Sequence, residues 1–162
     1  ANIDLKSFSS QTYSQKLGGD LSAVCRFLEL AHEMAVHLEV TTLIVTGLND
    51  NKGEIEGIIE FLSTLSPDIP WHLSAYHPAY KWREAATKPG LLQEIKAMVR
   101  GRLSYVYVGN IWGEENVTSC THCGKALVER QGYVISKPNL EFNETTHTYF
   151  CAHCGEPAHI YY

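Results

Sequence analysis

Two short segments, CTHCGK at 120–125 and CAHCGE at 151–156, are copies of one device and constrain this chain more than any other feature. Two thiolates separated by two residues can share one tetrahedral ion. The glycine that follows permits the tight turn that aims backbone N–H groups at sulfur. Four of the five cysteines sit in these pairs. In a reducing compartment that arrangement reads as a metal site formed by Cys120, Cys123, Cys151 and Cys154, whereas disulfides or free thiols fit poorly. Structural zinc is the leading choice. A rubredoxin-like iron site uses similar pairs, and spacing alone leaves it open. The stretch between the pairs, with ALVERQGYVI alternating well and HTYF leading into the second, predicts strands and favours a zinc ribbon over residues 118–162. Four sulfurs close the coordination shell, so such an ion holds structure and has no open position for substrate. In so small a unit the ion supplies on the order of 10 kcal/mol of folding free energy. His122 and His153 lie inside the knuckles, and His147 and His159 nearby are read as spectators.

The rest of the composition is that of a folded protein: 162 residues, 44% hydrophobic and 19% charged. That length holds one domain, or a domain and a small satellite. A net charge of −5 argues against nucleic acid as a partner, because phosphate binding wants clustered Lys and Arg. No apolar run is long enough to span a bilayer, and no basic segment followed by an apolar one opens the chain, so a membrane is not expected and the cytoplasm is the simplest compartment.

Before the knuckles, strand and helix signals alternate. NIDLKSF (2–8) opens as a strand, a helical turn covers Gln11 to Leu17, and Gly18-Gly19 ends it. Asp20 is placed to cap a helix to about His32, with Leu21, Val24, Leu28 and Ala31 on one face and Phe27 beside them. VHLEVTTLIV (36–45) predicts a second strand, followed by the turn signal GLND. Asn51 and Glu54 resemble a capping box opening a helix striped by Ile55, Ile58, Ile59, Leu62 and Leu65. Trp71 to Tyr76 predicts a third strand. Pro89 begins a helix with Leu91, Leu92, Ile95, Met98 and Val99 inward, and SYVYVGN (104–110) is the fourth strand. Alternation of this kind implies an α/β fold with parallel strands joined by right-handed crossovers. Four strands do not close a barrel, so residues 1–117 form either a small open sheet or the later half of one, with Trp112 to Val117 as a linker.

In such folds ligands gather at the carboxyl ends of strands. Those ends carry Asp4 and Lys6, then Thr46-Gly47, then Tyr76-His77, then Asn110. Each has a bland explanation as an ion pair, turn or cap, but together they place polar groups on one rim. Glu39 and His37 are read as solvent-facing or helix-contacting, and Cys25 as a small core hydrophobe.

Taken together, NIDLKSF, LEVTTLIVTGLND, PDIPWHLSAYHPAYKW and YVYVGN, followed by the two-knuckle tail, resemble one family over essentially the whole chain. They look like the later portion of a radical S-adenosylmethionine (radical SAM) enzyme related to the pyruvate formate-lyase activating enzymes. The resemblance is nearest to the AmmeMemoRadiSam system radical SAM enzymes, which end in such a tail. It implies a partial (β/α) barrel in which NIDLKSF is a middle strand. It also implies that Asp4 and Lys6, matching an Asp-x-Lys motif, lie near the methionine carboxylate and ribose of S-adenosylmethionine, and that His77 lies near its adenosine part. The chemistry implied is reductive cleavage of that cofactor to a 5′-deoxyadenosyl radical that abstracts hydrogen from a substrate.

The family's 4Fe-4S cluster is held by Cys-x-x-x-Cys-x-x-Cys, and these 162 residues contain no such triplet. The glycine-rich segment that receives the cofactor's amino group is also not among them, and Thr46 stands where many relatives have Pro. The expectation is therefore a fragment or one half of a split enzyme, inactive alone, whose missing N-terminal barrel half or companion chain holds the cluster. The alternative is a non-enzymatic zinc-ribbon interaction module; an iron redox carrier is weaker. An open edge at Asn2 to Lys6 predicts pairing with the missing half or with a second copy. Memo-like proteins are the partners that the resemblance suggests.

Overall fold

The structure, a computed structural model, describes residues 1–160; the last two residues of the expected ribbon lie outside the described ones. It divides into two compact units, Ala1–Ile111 and Trp112–Tyr162. The sequence reading had put that division after Val117. It falls earlier because Glu115, Asn116 and Val117, the end of the expected linker, belong to a strand, Glu115–Ser119, of the second unit's own sheet.

In the first unit, strands β1 (Asn2–Asp4), β2 (Glu39–Ile44), β3 (Trp71–Ala75) and β4 (Val106–Gly109) are parallel and lie side by side in sequence order. Helices fill the connections: a short α1 (Ser10–Thr12) running into a π-helical turn (Tyr13–Leu17), then α2 (Leu21–Glu33), α3 (Lys52–Leu65) and α4 (Pro89–Met98). The helix signals map onto observed caps. Asp20 accepts from the Ser22 N–H at 2.9 Å, and Pro89 occupies the first turn of α4, where its missing N–H costs nothing. Gly18, at φ 66°, closes the π-helical turn in the left-handed conformation.

One apolar layer holds this unit together. Val40, Ile44, Trp71, Leu73, Ala75 and Val108 project from one face of the sheet. They join Leu28 and Ala31 of α2, Ile55, Ile58, Ile59 and Leu62 of α3, and Leu92 and Ile95 of α4. Alternation puts the other residues of each strand on the opposite face. There stand Asn2 and Asp4, Glu39, Thr41 and Leu43, His72 and Ser74, and Tyr107 and Gly109, all exposed or half-buried. Register aligns Asp4, Thr41, His72 and Tyr107 in one row across the four strands. A parallel sheet buried on both faces would read apolar at nearly every position; this one is apolar on one side only.

Two expectations need correction. Phe27, read as lying beside the α2 stripe, is 56% exposed, because it falls off the arc that meets the sheet. Asn51 caps α3 by accepting from the Glu54 N–H at 3.1 Å, but Glu54 does not close a box. Its carboxylate accepts instead from Ser7 Oγ at 2.8 Å and from the Phe8 N–H, fastening the chain after β1 to the start of α3.

The second unit contains two three-stranded antiparallel sheets. The first runs β5 (Glu115–Ser119), β6 (Ala126–Gln131), β7 (Val134–Ser136). The second orders β8 (Leu140–Asn143), β9 (Thr148–Cys151) and β10 (Pro157–Ala158) as β10-β9-β8. Its buried core is Cys120, Leu127, Val128 and Cys151. Among the described residues no helix is long and apolar enough to cross a membrane.

Candidate functional site

Each knuckle is a turn built by backbone hydrogen bonds. Cys120 N–H donates to Lys125 O at 2.8 Å and Gly124 N–H to Cys120 O at 2.9 Å. The second knuckle repeats the pattern with Cys151 N–H to Glu156 O and Gly155 N–H to Cys151 O, both at 2.8 Å. Gly124 and Gly155 take φ of 73° and 78°, which a side chain would strain, so the glycine after each pair is required by the turn. The two turns bring the four sulfurs of Cys120, Cys123, Cys151 and Cys154 within 4.8 Å of one another. The separations Cys120–Cys154 and Cys123–Cys151 are both 3.7 Å. Sulfurs about 2.3 Å from a central ion stand about 3.8 Å apart at tetrahedral angles. The donor set therefore fits one tetrahedral ion. It does not fit a multi-iron cluster, whose thiolates are spread around several metals.

Electrostatics at this site call for a cation. The N–H groups of Cys123 and His122 draw the Cys120 thiol down to about 7. At Cys154 the Glu156 N–H pulls the same way. Local desolvation and the thiols of Cys123, Cys120 and Cys151 outweigh it and hold the group up at about 12. Cys120 thus ionises readily and Cys154 does so only against its neighbours, unless a metal neutralises the charge. The His147 ring stands edge-on to Phe142 at 6.1 Å.

The first unit presents its polar rim where β1 to β4 end. Lys6 Nζ and Asp4 Oδ2 form an ion pair at 2.9 Å with both side chains about half exposed, so the pair itself adds little stability. After β3, exposed His77 places Nε2 2.9 Å from Asn110 O. Asn110, in the left-handed region at φ 64°, donates from Nδ2 to Ala75 O at 2.9 Å. The ends of β3 and β4 are thus latched together, with the imidazole on the latch.

Beneath the rim lies a buried polar layer that the sequence reading passed over. Asn49, with no exposed surface, donates from Nδ2 to Lys6 O at 2.6 Å and Leu43 O at 2.8 Å, and accepts from Val45 N–H at 2.7 Å. Thr42 donates to Leu5 O at 2.8 Å and accepts from Trp71 Nε1 at 2.9 Å. Thr87 accepts from Tyr76 N–H at 2.9 Å and donates to Ile44 O, pinning the long loop after β3 against β2. Asn49 registered only as a turn residue within GLND, and Thr42 only as a β-branched strand residue. Glu39, expected to face solvent or a helix, lies on the open face with Oε2 3.0 Å from His72 Nε2 and Oε1 3.4 Å from His37 Nε2.

No family model matches the chain. It is 33% identical over 163 residues to an uncharacterized protein of Methanocaldococcus jannaschii, a match covering 98% of this chain and 47% of the relative. The chain thus spans about half the length of that curated relative. Among solved structures, a domain of a pyruvate-formate lyase-activating enzyme from Bacteroides vulgatus superposes with a TM-score of 0.59. Its identity is 20%, and the match covers 67% of this chain and 66% of that one. A radical SAM methyltransferase from Sphaerobacter thermophilus gives 0.46 at 16% identity, covering 67% and 33%. At these identities the likeness to the activating-enzyme domain is one of fold.

Proposed function

We propose that this chain is the later part of a radical SAM enzyme of the pyruvate formate-lyase activating type. Residues 1–111 supply part of a partial (β/α) barrel, and the unit that begins at Trp112 supplies a zinc ribbon. The observation that carries the reading is the winding of the sheet. Strands in sequence order, with α2, α3 and α4 packed on one face, follow the singly wound path of a barrel wall; a doubly wound sheet reverses its order and has helices on both faces. The opposite, polar face then becomes the lumen, and the free edge of β1 is where preceding strands pair. The fold likeness to the activating-enzyme domain supports the same reading.

On this reading Lys6 faces the carboxylate of S-adenosylmethionine, Asp4 its ribose hydroxyls and His77 its adenosine part. The half-exposed pair Asp4–Lys6 offers both charges at the rim, which suits a zwitterionic ligand with hydroxyls. Bound at a 4Fe-4S cluster, that cofactor supplies radical hydrogen abstraction. The four knuckle sulfurs fit one ion, so the cluster belongs to a companion segment, and this chain alone is inactive. Zinc sits in the knuckles, and the protein works in the cytoplasm. The companion barrel half is the first partner, a second copy at the β1 edge is the competitor for that place, and Memo-like proteins are further partners.

The test uses the complete coding product, reconstituted anaerobically with iron and sulfide and then reduced. It is expected to form 5′-deoxyadenosine from S-adenosylmethionine, while the 162-residue chain forms none. Lys6→Ala and Asp4→Asn are each expected to weaken cofactor binding tenfold or more, a loss of about 1.4 kcal/mol. Metal analysis of the chain is expected to return one zinc and no iron. A complete product that neither assembles a cluster nor binds the cofactor overturns the proposal. That outcome leaves the second reading, a zinc-ribbon module that docks a partner protein, which the exposed Tyr133, Val134 and Ile135 favour.

A further inference from the structure

The parallel ladder between β1 and β2 ends one residue before the rim lysine. Leu5 N–H still donates to Thr41 O at 3.0 Å, but the next peptide groups find no strand partner. Buried side chains take over. Tyr13 Oη, on a side chain only 5% exposed, accepts from Lys6 N–H at 3.0 Å. Asn49 Nδ2 donates to Lys6 O at 2.6 Å. Thr42 Oγ1 holds the preceding Leu5 O at 2.8 Å. These three come from three places: the π-helical turn, the loop after β2, and the middle of β2. Asn49 and Thr42 have other anchors as well. Asn49 also ties Leu43 O and Val45 N–H, and Thr42 also takes the Trp71 indole N–H.

The Lys6 peptide is thus gripped on both sides by groups of the rigid interior, while the Lys6 side chain stands half in solvent. A long flexible side chain that must meet one ligand group loses entropy on doing so, and fixing its backbone origin reduces that loss. The Thr42 bond to Leu5 O lies in the buried interior and meets ordinary structural need, but the N–H and C=O of Lys6, a residue whose side chain is half exposed, are also both held by buried side chains that reach in from two other segments.

We propose that Asn49 and Tyr13 are positioning residues that set the Asp4–Lys6 pair for its ligand. The inference rests on the reading that Asp4 and Lys6 contact S-adenosylmethionine. Neither Asn49 nor Tyr13 touches the ligand; both act through the Lys6 backbone. Thr42 serves the same segment from below but is also part of the core.

The test compares Tyr13→Phe, which removes one oxygen, with Asn49→Asp, which keeps the acceptor for Val45 and removes both donors. Binding of S-adenosylmethionine to the complete reconstituted product is measured by calorimetric titration, beside amide hydrogen exchange on each variant. Loss of one hydrogen bond to the Lys6 peptide is expected to weaken binding roughly three- to tenfold. Exchange is expected to quicken at residues 5–7 while the β2 and β3 amides keep their protection. A double variant of Tyr13→Phe with Lys6→Ala is expected to bind no more weakly than Lys6→Ala alone, because the clamp acts through that side chain. Unchanged affinity with faster exchange across the whole sheet overturns the proposal and marks both residues as merely structural. Should Asn49→Asp fail to fold, the Tyr13→Phe result decides. If Lys6→Ala itself leaves binding intact, the functional reading has failed. If Lys6→Ala weakens binding and Tyr13→Phe does not, only the positioning role has.

Discussion

A Cβ added at Gly57 would stand 2.4 Å from Cδ1 of Phe8 and 3.0 Å from its Cγ. These are the near atoms of a ring that also packs on Phe61 with centroids 5.9 Å apart, so the ring cannot yield by bending its far end. Alanine in a helix interior ordinarily gains up to about 1 kcal/mol over glycine, but overpacking costs about 1–3 kcal/mol. Gly57→Ala is therefore expected to lower stability by about 1 kcal/mol net, read as an earlier urea midpoint with unchanged slope. A later midpoint would mean that the Phe8 ring swings clear. Thr42 sets the opposite kind of case, where shape is kept and polarity lost. Valine there leaves the Trp71 indole N–H and Leu5 O without their buried partner, at about 1–3 kcal/mol. Neither effect was legible in sequence: a glycine in a helical stripe and a threonine in a strand look ordinary until the residue from a distant segment that meets them is known.

Local signals fared better at the scale of whole elements, because caps and periodicities act over a few residues. The stripe of α3 held at Ile55, Ile58, Ile59 and Leu62, and the caps Asp20 and Asn51 both bind the N–H groups they should. Glu54 escaped because its choice between Asn51 and the Ser7–Phe8 segment is a tertiary matter, and the edge strand β1 stops at Asp4 because side chains replace its ladder. The Asp20 cap gives a pH signature. Hydrogen bonds from Ser22, side chain first and then backbone, hold its carboxyl below the ordinary 3.8. A depressed carboxyl contributes its stability above the unfolded value and loses it as pH falls through the folded one. The first turn of α2 is accordingly expected to fray below about pH 3.8, with Ser22 and Ala23 amide shifts following that titration. Asp20→Asn, a cap without a titrating group, should keep the helix and abolish the pH dependence. A titration identical in the variant would assign the effect to another group.

For the molecule as a whole, the two units are stabilised by different means, and metal removal should separate them. The first has an apolar layer shared by three helices and four strands. In the second, two of the four buried core residues, Cys120 and Cys151, are themselves candidate ligands; Leu127 and Val128 are the other two, with Leu140, Ala158 and Ile160 partly buried against them. Without an ion across the four sulfurs, that core has too little apolar surface to fold on. A strong chelator, or Cys123→Ser, is therefore expected to collapse the amide dispersion of residues 112–160 while the shifts of residues 1–111 stay in place. Readdition of zinc should restore the chelated sample and not the variant at equal metal. Affinity should also fall as pH drops, because binding a metal expels protons from the thiols. A second unit that keeps its dispersion after the metal is shown to be gone would mean that Leu127, Val128 and their neighbours suffice, and that the four sulfurs converge for some purpose other than holding an ion.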